Sequence, residues 1–438
     1  MVCSRFYRHV GRRQLDMIKY LIYSGLVLTP FAVWPGMDLR IPKEIAGLGI
    51  ALAIGLYALY NGSLKKFKNY WLLLFVGYFL VCMCLAPNFR GFVLGFHHGK
   101  ELTILGKRAM SGFWAFKPFL FTMVYLLMTV AIASISFRSK KEVETIAKIM
   151  AFCGFLMALY IFVQVMHLDQ FFRMMTDAEN PQVRWMTKPL IGGFIGQPTV
   201  VSPFIAMLIP LAIYLRRYFW SLCMVLAVCL THSKVAIGAM IVSLVLYLLI
   251  SKRISSKIIG VLLIVGLATG AGYLHKQNPD RNWIEWVHMH ESSGRIETWV
   301  DIWEDFTSPI EGKRFCVTGF GPGAFAYTYS IRKDTQWWQA HCEPLEGMYN
   351  FGFVGIGILL MSIWWMIKNI LPALLRRSEL IWAFTSSLIC IFICSLGSFP
   401  LQGIIAPTMW YTVVIIALLH NVTITGGKLC RGQRYQHY

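Results

Sequence analysis

Apolar positions in this chain gather into long runs, broken by short polar segments. Several runs approach the roughly 20 residues that a helix needs to cross the hydrocarbon core of a bilayer. Backbone groups in lipid must be satisfied within the segment, so such runs form helices. Leu, Ile, Ala and Met fill them without the period-two alternation of a barrel strand. The pattern predicts an all-α polytopic membrane protein of about twelve transmembrane helices. Their expected limits are 17–35, 44–60, 70–86, 114–136, 144–167, 199–215, 218–231, 234–250, 258–274, 346–367, 379–397 and 405–420. The gaps around the seventh run are short, and that run is itself shorter than a full crossing.

The polar segments set an orientation. Short cytoplasmic loops collect Lys and Arg. Arg5, Arg8, Arg12 and Arg13 precede the first span, Lys65, Lys66 and Lys68 follow the second, and Arg138, Lys140 and Lys141 follow the fourth. Arg216 and Arg217 follow the sixth, Lys252, Arg253 and Lys257 the eighth, and Arg376 and Arg377 the tenth. Lys428, Arg431 and Arg434 end the chain. Every second loop is basic, which places both termini in the cytoplasm. The largest polar loop, 275–345, then lies outside, in a periplasm or its equivalent. A basic N-terminus without a small-residue cleavage site argues against a cleavable signal peptide. No internal repeat or low-complexity tract appears, so residues 1–438 read as one integral-membrane domain.

Composition agrees with this reading and adds a substrate class. The chain is 57% hydrophobic and 14% charged, against about 25% charged in soluble domains. Its net charge of +20 exceeds what orientation requires, because the outer segments are basic too: Arg90, Lys100, Arg173, Arg184, Lys188, Arg295, Lys313 and Arg332 among others. These charges are scattered among membrane segments rather than gathered on a soluble face, which argues against a nucleic-acid partner. An anionic lipid-linked substrate fits them better. The 11 cysteines have no metal-ligand spacing. Cys82, Cys84, Cys153, Cys223, Cys229, Cys390 and Cys394 fall inside spans, as small hydrophobes do. Cys316 and Cys342 share the outer loop, where an oxidising compartment permits a disulfide. His97, His98, His288 and His290 lack ligand spacing with carboxylates, so no metal and no cofactor are expected.

Candidate chemistry concentrates in the outer segments. In the 275–345 loop, Ile296, Trp299, Val300, Ile302, Trp303 and Phe306 recur at near-helical spacing and predict a helix over 292–306, capped by Ser292 or Ser293 and closed by Pro309. Arg295 then lies in its first turn. There the helix dipole and free N–H groups favour an anion, and a guanidinium adds a bidentate phosphate fork. The alternative is a surface arginine paired with Glu297, Asp301 or Glu304. Gly319-Phe320-Gly321-Pro322-Gly323 is either a phosphate cradle or a tight turn needing positive φ. His341, at the outer mouth of the tenth span, suits proton transfer near neutral pH, or is an interfacial histidine without a role. Trp337 and Trp338 either stack on sugar faces or belong to the aromatic belt. Lys234, between the seventh and eighth spans, either marks a boundary or reaches a phosphate.

Taken in order, these pieces resemble the O-antigen ligase and O-antigen polymerase superfamily of integral-membrane glycosyltransferases, over roughly residues 190 to 365. Ile191-Gly192-Gly193-Phe194-Ile195-Gly196-Gln197-Pro198 is similar to its G-x-F-x-N-P-N segment. Thr231-His232-Ser233-Lys234 stands in the place of its S-x-S-R segment. Ser293-Gly294-Arg295, Trp299, Pro309 and Gly319 through Phe325 resemble its S-G-R…W…P…G-x-G-x-G-x-F run. Ala340-His341, Leu345, Gly352 and Gly355 resemble its A-H-N-x-x-L…G-x-x-G run. The chain departs from the pattern in three places. Lys234 replaces the usual Arg, Cys342 replaces the usual Asn, and residues 312–318 lengthen the connection before Gly319.

The resemblance implies transfer of a glycan from an undecaprenyl-pyrophosphate carrier to an acceptor hydroxyl at the periplasmic face of the bacterial inner membrane. It implies a metal-independent, inverting reaction. Arg295, Lys234 and Arg184 would neutralise the departing pyrophosphate, and His341 would activate the acceptor. The acceptor, whether lipid A core, a growing polysaccharide or a protein serine, separates ligase, polymerase and O-oligosaccharyltransferase. A flippase for the same lipid-linked glycans is the reading from another class. It would place ionisable groups within the spans, whereas here they cluster outside.

Overall fold

The structure is a computed structural model that describes residues 2–32, 40–60, 70–85, 123–125, 127–133, 140–166, 168, 198–231, 233–251, 295–307, 317–320, 325, 342–375, 378–397 and 406–424. Every regular element among the described residues is a helix. In chain order these are α1 (Val2–Phe31), α2 (Arg40–Tyr60), α3 (Tyr70–Leu85), α4 (Lys140–Val165), α5 (Pro198–Ala206), α6 (Ile209–Tyr214), α7 (Tyr218–Leu230), α8 (Lys234–Ile250), α9 (Arg295–Thr307), α10 (Glu343–Leu375), α11 (Glu379–Gly397) and α12 (Ala406–Ile424). A further short apolar helix runs over Met123–Ala133.

Four segments are long and apolar enough to cross a membrane: Pro42–Tyr60, Lys140–Val165, Glu343–Asn369 and Glu379–Gly397. Shorter apolar helices cover Met17–Phe31, Leu73–Cys82, Met123–Ala133, Thr199–Tyr214, Tyr218–Leu230, Lys234–Ile250 and Pro407–His420. Together they fall on eleven of the twelve expected runs. The remaining run, 258–274, lies outside the described residues. The chain is a multi-pass helical membrane protein. Outward-facing Leu360, Trp364, Leu249 and Phe392 give its surface the apolar character that lipid requires.

The centre of the bundle is α5 with α6. Every residue from Val200 to Tyr214 is buried, as expected of a helix apolar on all sides. It is flanked by α4, α7, α8 and α11. The sequence predicts one span here, and the structure divides it at Met207 and Leu208. Pro210 is the cause: it has no N–H for the Ala206 carbonyl and its ring crowds that turn. The chain resumes as α6, with Pro210 in the first turn, where a missing N–H costs nothing.

Polar contacts fix the helix directions. Lys19 of α1 pairs with Glu142 at the start of α4 at 2.6 Å. The Tyr214 hydroxyl, ending α6, donates to Glu144 at 2.5 Å. These groups, with Lys140, Arg216 and Arg217, mark the end of the bundle expected to be cytoplasmic. At the other end Lys43 of α2 donates to the Ala32 carbonyl at 2.9 Å, closing the turn from α1 to α2. Deeper in, the Trp410 indole of α12 donates to Gly47 at 3.0 Å and the Tyr411 hydroxyl to Leu26 at 2.7 Å. A Cβ on Gly25 would stand 2.3 Å from the Trp410 ring, so the close approach of α1 and α12 depends on that glycine.

Candidate functional site

Two features build the site. The first is a break in α10 at Gly352, whose φ of +65 and ψ of −175 are non-helical. A break frees carbonyls that would bond along the helix, and the neighbouring segments take them. The Phe320 N–H donates to the Tyr349 carbonyl at 2.9 Å. The Tyr78 hydroxyl of α3 donates to the Phe351 carbonyl at 2.9 Å. The Phe325 N–H is bound by the Asn350 side-chain oxygen at 3.3 Å. Phe320 stacks on Tyr349 with centroids 4.3 Å apart, and Phe325 meets the same ring edge-on at 5.6 Å.

Glycine is required at this crossing. Gly319 has φ of +73, and a Cβ there would lie 2.4 Å from the Asn350 carbonyl oxygen. A Cβ on Gly352 would lie 2.5 Å from the Gly319 nitrogen and the Val317 oxygen. The Gly319 segment is therefore a tight turn seated on the helix break. The N–H groups of Phe320 and Phe325 are turned onto α10, which disfavours the phosphate-cradle reading at those two positions. Gly321 to Ala324 lie outside the described residues.

The second feature is the meeting of α8, α11 and the start of α10. Lys234 opens α8, after Ser233 with extended backbone. It is partly buried, and its Nζ is fully enclosed. Val235 packs against the last residue of α11, with its Cγ2 3.0 Å from where a Cβ of Gly397 would stand. Glu343 opens α10 with its Oε2 enclosed, and its carboxylate lies within electrostatic range of Cys394, one turn before Gly397. Cys342 is buried. Burial pushes its thiol up, and the nearby Glu343 and Glu346 carboxylates act in the same direction. It is a free thiol, and Cys316 lies outside the described residues.

Among the predicted site residues, the structure places Lys234 in full. Arg295 is the first residue of α9, in the first turn as expected; its side chain lies outside the described set. His341, Arg184, Trp337, Trp338 and the capping Ser293 also lie outside the described residues. In sequence, His341 precedes the start of α10 at Glu343 by two positions. The expected apolar stripe of α9 needs correction. Thr298 and Ile302 are buried while Val300 and Trp303 are about half exposed. Residues two apart on a helix point roughly 200° from one another at 3.6 residues per turn, so Val300 and Ile302 cannot share a face. The stripe against α10 is the narrow i, i+4 pair. Among the described residues no group of three or more His, Cys, Asp or Glu could hold a metal ion.

Sequence reasoning missed Tyr78, Tyr349, Asn350 and Glu343. Gly352 and Gly355 were visible as a spaced pair, but what crosses them was not. Comparison with curated proteins gives no match. Residues 219–360 match a family described as O-antigen ligase. That interval runs from α7 to the middle of α10 and contains Lys234, Arg295, the Gly319 turn, His341, Glu343 and the helix break. Over that interval, about a third of the chain, the protein is similar to the O-antigen ligase family.

Proposed function

We propose that this protein transfers a glycan from an undecaprenyl-pyrophosphate carrier to an acceptor hydroxyl at the periplasmic membrane face, as an O-antigen ligase. A polymerase of the same superfamily shares the donor and the outward-facing chemistry and differs in acceptor. One observation carries the reading: an enclosed lysine opens α8 at the bundle end where α10 begins, two residues after His341. Cation and candidate base both fall inside the family segment.

The chemistry asks for two things. Negative charge building on the departing pyrophosphate must be offset, and the acceptor hydroxyl must lose its proton. Lys234 and Arg295, each at the first position of a helix, combine a side-chain cation with the positive end of a helix dipole. Together with Arg184 they stabilise the leaving pyrophosphate. His341 takes the acceptor proton as the hydroxyl attacks the anomeric carbon on the face opposite the leaving group. Attack from that face inverts the anomeric configuration. Three cations on the pyrophosphate supply the charge that a divalent metal would otherwise provide, and Trp337 and Trp338 stack on the sugar. The test is transfer by the purified protein from a synthetic undecaprenyl-pyrophosphate glycan, offered lipid A core, a second lipid-linked glycan and a serine-containing acceptor protein in turn. Transfer to lipid A core supports the ligase, transfer to the lipid-linked glycan the polymerase, and transfer to none defeats the reading.

A further inference from the structure

We propose that the groove between α4 and α7 holds one anionic phospholipid, with its headgroup phosphate on Lys148, Arg216 and Arg217 and an acyl chain along Phe152 and Phe155. The two helices run side by side in the same direction, which three contacts establish. Tyr214, just before α7, donates to Glu144 of α4 at 2.5 Å. Phe152 meets Trp220 with ring centroids 5.5 Å apart. A Cβ on Gly154 would stand 2.9 Å from the Met224 sulfur. The first two contacts bracket the cations. Lys148 lies midway between Glu144 and Phe152 on one face of α4, and Arg216 and Arg217 lie between Tyr214 and Trp220. All three cations are exposed.

The surface changes character within one turn. The Arg217 guanidinium carbon stands 5.3 Å from the centre of the Trp220 ring, and that ring stacks on Phe155 at 5.4 Å. Next to them Phe152 is 44% exposed and Phe219 66%. Cations beside exposed aromatic surface match an amphiphile with an anionic head. The carboxylates at this end are already engaged: Glu142 pairs with Lys19 at 2.6 Å, and Glu144 accepts from Tyr214 and pairs with Lys140 at 3.6 Å. Among the described residues no carboxylate pairs with Lys148, Arg216 or Arg217. The backbone of Arg216 is a separate observation. Its φ is +58, and among the described residues no other non-glycine has a positive φ. Glycine takes this left-handed conformation freely and other residues resist it. Such outliers gather at ligand clamps. Glycine would close the turn with less strain; what arginine adds is a second guanidinium beside Arg217.

The test is native mass spectrometry of the full-length, delipidated protein in detergent, titrated with phosphatidylglycerol or phosphatidylcholine. Wild type should hold one phosphatidylglycerol more tightly than phosphatidylcholine. Lys148→Gln and Arg217→Gln should each weaken phosphatidylglycerol about fivefold, the effect of one cation at an anionic lipid surface, and leave phosphatidylcholine unchanged. Arg216→Gly should weaken it to the same degree. Its thermal midpoint in phosphatidylcholine nanodiscs should be no lower than that of wild type, because glycine adopts the left-handed turn freely. That result separates a lost ligand contact from a damaged fold. Lys368→Gln, which removes an exposed lysine of α10, is the control and should bind as wild type does. Equal affinity of wild type for the two lipids would overturn the site. An equal loss in Lys368→Gln would do the same, as would full phosphatidylglycerol affinity in Arg216→Gly.

Discussion

Replacing Gly352 by alanine should disable the protein through its backbone. The native φ of +65 is left-handed and costs an alanine about 1–2 kcal/mol. The new Cβ would stand 2.5 Å from the Gly319 nitrogen and the Val317 oxygen and 2.6 Å from the Val317 carbonyl carbon. All three are backbone atoms, which cannot swing aside as a side-chain tip can. Forcing a methyl into such a contact costs about 1–3 kcal/mol. Moving the Gly319 turn away also breaks the Phe320 N–H bond to Tyr349, about 1 kcal/mol. The sum is about 3–6 kcal/mol, concentrated where the loop crosses α10. Gly357→Ala is the matched control: it lies on the same helix, and its Cβ would meet nothing within 4 Å. The assay is the thermal aggregation midpoint of the purified proteins in detergent, with the glycan-transfer rate alongside. Gly352→Ala should melt well below wild type and lose transfer, while Gly357→Ala stays close to wild type in both. Equal behaviour of the two variants would refute the crossing as the cause.

Other expectations are more local. Arg295→Ala should slow transfer by about 10²- to 10³-fold, the range for a lost transition-state donor, and Arg295→Lys should restore little because a point charge does not replace a fork; full rescue by lysine would argue against bidentate binding. Because the buried Cys342 thiol is pushed up and only thiolate reacts, its alkylation should be slow at pH 7.5 and still be rising with pH above 9. A plateau reached below pH 8 would show a depressed thiol and contradict the upward shift. Reporter fusions after Lys68, Lys141, Lys257 and Arg377 should report cytoplasm and one after Lys333 the outside; an inside signal at Lys333 would invert the whole site.

The helices were legible because long apolar runs leave the backbone little choice in lipid, and α8, α11 and α12 fall close to their expected limits. The division of α5 from α6 was written in Pro210, yet hydropathy alone averages across it. The charge alternation assigned Lys140 to the expected cytoplasmic end, where it pairs with Glu144, Tyr214 donates to that same carboxylate, and Lys19 pairs with Glu142. The site was legible as an ordered set of motifs, not as a geometry. Gly319 and Gly352 are 33 positions apart in sequence, and nothing local says that their backbones touch. The apolar stripe of α9 was misjudged because too many aromatic and branched residues, Val300 and Trp303 among them, compete for a face that, among the described side chains, Thr298 and Ile302 occupy.

The central claim is that the outer end of this bundle moves a glycan from a lipid pyrophosphate to a hydroxyl, with His341 taking the proton. It is tested most directly by single-turnover transfer from a synthetic undecaprenyl-pyrophosphate glycan, comparing wild type with His341→Ala at matched folding and donor binding. The account predicts measurable transfer by wild type and a rate lower by about 10²- to 10⁴-fold in the variant, the range for a lost acid–base group. No transfer by wild type to any of the three acceptor classes, or near-wild-type transfer by His341→Ala, would contradict it.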